Sequence, residues 1–327
     1  MEKIIAYTRV SKPVIDILSQ SYDVTYFQNY EQLDNPLFKE KLQKAKGIIG
    51  LELKVDKKLL ENAPNLKIVS NISAGYDNLD LNAMTDFKVL ATNTPNILTD
   101  TVADAMIGLM LATARRIPEL HQFVQQGRWN EYLQNEHFGV DMHHKNVGII
   151  GLGSIGEAIA KRCYFGFDMN ILYHKRSRDK QIEQQYNATF CSLEKLLTES
   201  DFVVLMVPST KATEKMISTD QFKLMKNNAI FINGSRGKNV DEQALYEAII
   251  KNEILAAGLD VFEHEPIHMD NPLLHLPNVV TTPHIGAATI ENELSMSTLA
   301  MKNLIAGLHG EKPPNLLNDT VWDYNKK

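Results

Sequence analysis

Apolar residues fall in short unbroken runs along most of this chain, and the stretches between the runs repeat their apolar positions three or four residues apart. The runs "KIIAYT" (3–8), "DVTYF" (23–27), "GIIGL" (47–51), "LKIVSNIS" (66–73) and "KVLAT" (88–92) read as strands. The intervals read as helices, as Leu59, Leu60 and Ala63 illustrate. Strand and helix in alternation are the rhythm of a parallel sheet. That rhythm stops at "TDTVADAMIGLMLATARRIPELHQFVQQG" (99–127), which reads as one long helix that Thr99 or Asp100 could cap and Gly127 could end. A second series follows: "NVGIIGL" (146–152), "NILYH" (170–174), "DFVVLMV" (201–207), "AIFING" (229–234), "LAAGLDVF" (255–262) and "VVTTP" (279–283). These are continuous Val, Ile and Leu runs, as in strands buried on both faces. Residues 287–310 form a last helical pattern.

The expected fold is therefore α/β, with two doubly wound, parallel-sheet (Rossmann-like) domains and an active-site cleft between them. We expect a discontinuous first domain of residues 1–99 plus 286–327, with 100–285 inserted. A simpler cut near residue 140 is the alternative. In such folds ligands bind beyond the carboxyl ends of the strands. A length of 327 residues suits two domains. A net charge of −6 argues against nucleic acid as a partner. Cys163 and Cys191 have no CxxC or His spacing around them, so two reduced thiols in a cytoplasmic protein are expected, with no bound metal. The N-terminal apolar run is too short for a signal peptide, and no run reaches the roughly 20 residues of a membrane span.

The loop "GLGSIG" (151–156) follows one strand and opens a helix. Gly151 permits the tight turn, Gly153 lets backbone approach a pyrophosphate, and Gly156 lets helix and strand pack closely. The helix N-terminus then offers free N–H groups to phosphate. A glycine-rich turn without a ligand is the bland reading, but the strand and helix on either side favour a dinucleotide.

The next strand ends in "YHKRSR" (173–178). An NAD-binding chain usually carries an acidic residue there for the adenine ribose. This chain has His174, followed by Lys175, Arg176, Ser177 and Arg178. A carboxylate would repel a 2′-phosphate, whereas these cations and the Ser177 hydroxyl would attract it. A solvated basic turn is the alternative. We expect NADP(H) in preference to NAD(H).

Arg236 in "NGSRG", Glu265 in "DVFEHEP" and His284 in "TPHIG" each follow a strand end. Singly they read as a salt-bridge partner, a solvated turn and a structural histidine. Jointly they make a set for reducing a keto acid: a cation for the carboxylate and carbonyl, a proton donor, and a carboxylate that orients the imidazole.

With these residues in place, the chain resembles the D-isomer-specific 2-hydroxyacid dehydrogenase family, and within it the glyoxylate/hydroxypyruvate reductases. The resemblance rests on "NISAGYDNLD" (71–80), "TVADAMIGLMLATARR" (101–116), "VGIIGLGSIG" (147–156), "INGSRGKNVDEQAL" (232–245), "AGLDVFEHEP" (257–266) and "NVVTTPHIGAAT" (278–289), in order over nearly the whole chain. It implies that Arg236 binds substrate, that His284 donates and accepts the proton, and that Glu265 is its partner. It implies that Asp260 faces the nicotinamide amide, that Val207, Pro208 and Thr213 lie along the adenosine, and that Gly234 and Ser235 lie beside the nicotinamide. Thr101, Ser154, Ile155 and Gly286 are further implied cofactor contacts, and the N–H groups of Ala74 and Gly75 the implied holders of the substrate carboxylate. It also implies a homodimer formed through the cofactor domain, with the helix at 101–116 taking part. His144 departs from the glycine common before the Lys of the fingerprint strand. The regulatory C-terminal domain and the longer N-terminal segment of some relatives are not expected. "LELK" (51–54) would line the substrate side without naming a substrate. A D-lactate-type or other 2-ketoacid reductase is the nearest rival, and a cofactor-sensing binding protein on the same scaffold is the rival from another class.

Overall fold

The computed structural model describes residues 1–29 and 33–325. The chain divides into two compact units, Met1–Leu98 with Ala288–Lys327, and Thr99–Ala287.

The first unit opens with β1 (Lys3–Tyr7), α1 (Lys12–Leu18), β2 (Asp23–Phe27), α2 (Pro36–Lys44), β3 (Gly47–Gly50), α3 (Lys57–Glu61), β4 (Ile68–Asn71), α4 (Leu81–Asp86) and β5 (Leu90–Thr92). The second unit holds α5 (Thr99–Ala114), α6 (Ile117–Gln125), β6 (Asn146–Ile150), α7 (Ser154–Phe167), β7 (Asn170–His174), α8 (Lys180–Tyr186), β8 (Thr189–Phe190), α9 (Leu193–Glu199), β9 (Phe202–Leu205), α10 (Thr219–Leu224), β10 (Ile230–Asn233), α11 (Glu242–Ile250), β11 (Ala256–Leu259) and β12 (Val279–Thr281). The chain then returns to the first unit as α12 (Ile290–Leu308) and α13 (Asp319–Asn325).

The sheet of the first unit runs β2-β1-β3-β4-β5, all parallel. All of its strands but the edge strand β2 are buried on both faces, so Ile4, Ile5, Ile48, Ile49, Ile68 and Val69 all belong to the core. Phe38 and Leu42 of α2 pack in the cluster on one face. On the other face α12 lies close to the strands, where the Ser70 hydroxyl donates to the Ala300 carbonyl at 2.7 Å. A side chain at Gly307 would collide with Ile68, so glycine sets how near α12 can come.

The sheet of the second unit runs β12-β11-β10-β9-β6-β7-β8, again all parallel. Read from β8, the order goes inward to β6 and then resumes at β9, the doubly wound order with its switch point between those two strands. Helix starts are fixed by short polar side chains that accept a hydrogen bond from the first turn: Asp56, Asp80, Asp179, Ser192, Asp241 and Thr289 all do so.

Three sequence expectations need correction. The helix expected over 99–127 is two helices, because Arg116 adopts a left-handed φ of 55° and Pro118 sits in the first turn of α6. Proline has no N–H to donate and its ring would clash with the carbonyl four residues back, at Ala114. The bend is held by Arg116 itself, whose guanidinium meets both oxygens of Glu119 at 2.8 and 2.7 Å. Strand β8 has only two residues, both exposed, and so left no periodic signal. The apolar runs 201–207 and 255–262 overshoot their strands, since β9 stops at Leu205 and β11 at Leu259. Their surplus residues form loops at the carboxyl edge of the sheet.

Candidate active site at the carboxyl edge of the second sheet

The glycine loop bridges β6 and α7. Gly151 has φ +93°, and a Cβ there would sit 2.6 Å from the Met206 carbonyl oxygen and 2.7 Å from Val207 Cγ1. The loop after β6 is thus pressed against the loop after β9 at the switch point. Gly156 is buried against the Gly151 carbonyl, where a Cβ would not fit without displacement. Gly153 is different: a Cβ would meet nothing within 4 Å. Packing does not demand glycine there, and the open space lies at the N-cap of α7, a helix of 14 residues. Ser154 opens that helix, exposed, and Ile155 is half-buried behind it. A helix N-terminus beside an open cradle suits a pyrophosphate.

At the end of β7, His174 Nδ1 lies 3.0 Å from the Cys191 carbonyl. A carbonyl only accepts, so Nδ1 carries the proton and donates. Two of the cations that follow are already engaged. Lys175 Nζ meets Asp179 at 3.1 Å, and Arg178 grips both oxygens of Glu183, at 2.8, 3.0 and 2.7 Å. Glu183 also accepts from the Tyr173 hydroxyl at 2.8 Å. Arg176 and Ser177 are exposed, and among the described residues their side chains have no partner. Of the whole basic turn, these two groups are left to meet a ligand.

The loops after β9 and β10 are polar and closely tied. Thr213 donates to the Pro208 carbonyl at 2.7 Å and closes the loop that follows Val207. Asn233, the last residue of β10, accepts from both the N–H and the hydroxyl of Ser235, at 3.1 and 2.7 Å, and donates to the Arg236 carbonyl at 3.2 Å. Arg236 in turn donates to the Ser235 carbonyl at 2.8 Å. Gly234 abuts Met106 of α5, where a Cβ would collide with the thioether. A Cβ at Gly237 would run into the backbone of Phe262 and Glu263, so backbone meets backbone between the loops after β10 and β11. Any larger residue at 237 would push the arginine and the glutamate loops apart.

Asp260 follows β11 and is only 2% exposed. One carboxylate oxygen accepts from the Thr282 hydroxyl at 2.6 Å and the Ile285 N–H at 2.8 Å; the other accepts from the Gly286 N–H at 2.8 Å. A buried carboxylate is costly unless hydrogen-bonded, and here three donors satisfy it. They also fix the loop that bears His284, a non-glycine residue with φ 52°.

His284 Nδ1 lies 2.7 Å from Glu265 Oε2, and Glu265 Oε1 accepts from the Phe262 N–H at 2.9 Å. The carboxylate only accepts, so Nδ1 donates and Nε2 is the nitrogen available to a ligand. The hydrogen bond to Glu265 raises the His284 pKa above the usual 6.5; burial opposes this, the Glu265 charge adds to it, Arg236 opposes it and Asp260 adds to it. Burial alone would raise the Glu265 pKa, but the bonds from His284 and Phe262 and the nearby positive charges of His284 and Arg236 outweigh it and leave the pKa lowered. The signs define a window. A raised histidine pKa stabilises the fold below 6.5 and ceases to as pH climbs through the raised value. A lowered glutamate pKa stabilises it above 4.5 and ceases to as pH falls through the lowered value. The ion pair therefore contributes fully between about 4.5 and 6.5.

The structure thus gathers Arg236, Asp260, Glu265, His284 and Gly286 at one edge of one sheet. The basic turn lies beyond the switch point, after β7. Thr101 is half-buried in the first turn of α5, near the Arg162 fork that meets Asp100 and Asp104 at 3.1 and 2.6 Å. Ala74 and Gly75 belong to the other unit, just past β4. Their carbonyls accept from Asn93 at 2.8 Å and Asn71 at 2.9 Å, while neither N–H donates to the protein among the described residues. Sequence reasoning missed Asn233, Asn239, Glu242 and Thr282. Asn233 stood inside a quoted motif, but nothing in the sequence said that its amide would shape the arginine turn. Glu242 accepts from the Glu263 N–H at 2.6 Å and from Asn271 at 2.8 Å, which only the fold brings near.

Comparison with known proteins gives a consistent set of likenesses. Residues 107–286 match the family model for the D-isomer specific 2-hydroxyacid dehydrogenase, NAD binding domain. The chain is 45% identical over 318 residues to a glyoxylate/hydroxypyruvate reductase B of Escherichia fergusonii, covering 97% of this chain and 98% of that one. It is 44% identical to the protein of the same name from Klebsiella pneumoniae, with the same coverage. Among solved structures, an NADPH-dependent glyoxylate/hydroxypyruvate reductase from Sinorhizobium meliloti, bound to NADP and malonate, superposes with a TM-score of 0.84 at 30% identity, covering 97% of both chains.

The hold of Asp260 on the histidine loop is testable. Asp260→Asn keeps one acceptor oxygen but turns an NH2 group toward the Gly286 N–H. Loss of a charged acceptor is worth about 1.5–3 kcal/mol. Urea denaturation should show a loss of that order, and amide exchange at Ile285 and Gly286 should quicken. Unchanged exchange at both would mean that the carboxylate does not hold the loop.

Proposed function

The chain belongs to the D-isomer-specific 2-hydroxyacid dehydrogenase family, and from that premise we propose that it reduces glyoxylate and hydroxypyruvate to the D-2-hydroxy acids with NADPH. The observation that carries the reading is the 2.7 Å contact between His284 and Glu265, set at the same sheet edge as Arg236 and the dinucleotide loop. The cofactor supplies a hydride when bound. Arg236 binds the substrate carboxylate and draws electron density from the carbonyl. His284 donates its Nε2 proton to the carbonyl oxygen, and Glu265 holds the ring and keeps it protonated through the raised pKa. In the reverse direction His284 takes the proton back.

The open cradle at Gly153, with Ser154, Ile155 and the start of α7, receives the pyrophosphate. Val207, Pro208 and Thr213 line the adenosine, and Thr101, Gly234, Ser235, Asp260 and Gly286 the nicotinamide side. Asp260 already accepts three hydrogen bonds, so its part is chiefly to hold the loop and only secondarily to meet the amide. In the other unit the N–H groups of Ala74 and Gly75, which donate to nothing in the protein among the described residues, are suited to a carboxylate. Arg176 and Ser177 read the 2′-phosphate by direct contact, and His174 and Lys175 hold the turn that presents them. The likeness to an NADPH-dependent relative supports this choice.

The reading extends to a cytoplasmic homodimer. No helix among the described residues is long and apolar enough to cross a membrane, and both cysteines are free and buried. Beyond α5, Ile117, Val124, Trp129, Tyr132 and Phe138 are large apolar side chains left exposed, Tyr132 at 93%. A second copy of the chain would cover them.

Initial rates decide the central claim: glyoxylate and hydroxypyruvate should turn over faster than pyruvate, and NADPH should be preferred over NADH. With one free arginine facing the phosphate, about 1–2 kcal/mol of charge-assisted bonding gives roughly a 5- to 30-fold preference in kcat/KM. Arg176→Ala should remove most of it by weakening NADPH alone. Equal use of both cofactors by the unaltered protein would sink the assignment of the turn. The pH dependence of reduction should show activity falling as pH rises through the raised His284 pKa, above 6.5. Glu265→Gln should move that fall to lower pH, and an unmoved profile would break the pairing. Light scattering should give about twice the 36.9 kDa chain mass, and Trp129→Asp with Phe138→Asp should halve it.

A further inference from the structure

Asn239 is fully buried, at 0% exposure, in the turn Gly237–Asn239 after the arginine. Its Nδ2 donates to the Val207 carbonyl at 3.1 Å and to the Ser235 hydroxyl at 3.2 Å. Among the described residues its Oδ1 is buried without a partner. The amide cannot be turned round to relieve this, because the Val207 carbonyl only accepts and must face the NH2. A buried unpaired amide oxygen is unfavourable, so such an atom calls for a reason. The reason lies in what the NH2 joins. Val207 stands after β9, along the expected cofactor wall. Ser235 donates to Asn233 Oδ1 at 2.7 Å, and Asn233 Nδ2 donates to the Arg236 carbonyl at 3.2 Å. The Asn239 N–H itself donates to the same carbonyl at 3.2 Å. A continuous buried chain of hydrogen bonds therefore runs from the Val207 carbonyl through Asn239, Ser235 and Asn233 to the backbone of Arg236.

We propose that Asn239 is a positioning residue that ties the Arg236 loop to the strand edge at Val207, and so sets the guanidinium at a fixed distance from the cofactor wall. The proposal rests on the reading of Arg236 as the keto-acid clamp. Asn239 touches no substrate on this account. Its work is to keep two neighbouring loops in register, which a side chain that merely filled the space would not do. Leucine has the same branching at Cγ and neither donor, and threonine keeps one hydroxyl donor on a shorter stem.

The experiment is steady-state kinetics on glyoxylate with NADPH for the unaltered protein, Asn239→Leu, Ser235→Ala and the double variant, with thermal melts on each. Asn239→Leu should raise the glyoxylate KM about 5- to 30-fold, lower kcat less than about threefold, and leave the NADPH KM within about twofold. If the path runs through Ser235, the double variant should be no worse than the weaker single variant. Asn239→Thr should fall between, and it takes over the test should the leucine variant fail to fold. An unchanged glyoxylate KM in a folded variant, an NADPH KM that rises as far as that of glyoxylate, or additive effects of the two substitutions would each overturn the proposal. An unaltered protein with no glyoxylate reduction at all would instead overturn the reading on which it rests.

Discussion

Three hydrogen bonds to the buried carboxylate of Asp260 are the constraint from which the rest of the site follows. His284 carries φ 52°, a conformation that costs a non-glycine residue about 1–2 kcal/mol. Each bond to a charged acceptor contributes roughly 1.5–3 kcal/mol, so three of them outweigh the strain with margin. From that turn the imidazole Nδ1 lies 2.7 Å from Glu265 Oε2. Remove the clamp, and the 2.7 Å contact loses its geometry and the pKa of the ring loses its cause. A carboxylate in the loop after β11 thus holds the loop after β12 that bears the histidine.

The fold was legible because parallel strands, most of them buried on both faces, show as apolar runs, and eleven runs were read as strands where eleven stand among the described residues. The twelfth, β8, has two exposed residues and no such signature. The break between α5 and α6 was visible as Pro118, yet the apolar periodicity on either side masked it. The candidate chemistry was legible as residue types after strand ends, Arg236, Glu265 and His284 among them. What no reading of one chain could supply was the set of cross-strand supports. Asn239 and Val207 are far apart in sequence, as are Glu242 and Asn271, and each pairing exists only because neighbouring strands end at the same level.

The basic turn shows how composition can mislead by count. Its sequence holds three cations in four residues, which invites a strong phosphate site. In the fold two of them are matched by carboxylates from the following helix, Asp179 and Glu183, and their charge is spent within the turn. Exposed ion pairs of this kind are weak singly. Their effect here is geometric, since Arg178 and Lys175 brace the turn from which Arg176 projects. A turn with all three cations unpaired would attract anions more strongly but would lack these two braces.

The same logic explains why the sheet edge tolerates an unsatisfied amide oxygen at Asn239. At that edge four successive loops leave neighbouring strands, and the sheet fixes only where each loop begins. Beyond that point the spacing between loops depends on direct ties. Gly237 provides one by letting two backbones touch, Asp260 another, and Asn239 a third between the loops that follow β9 and β10. Each tie carries a local penalty: an extra glycine's chain entropy, a buried charge, an orphaned oxygen. Each is compensated by hydrogen bonds or by close packing beside it. These penalties sit in the loops at this edge, where neighbouring loops are tied directly to one another.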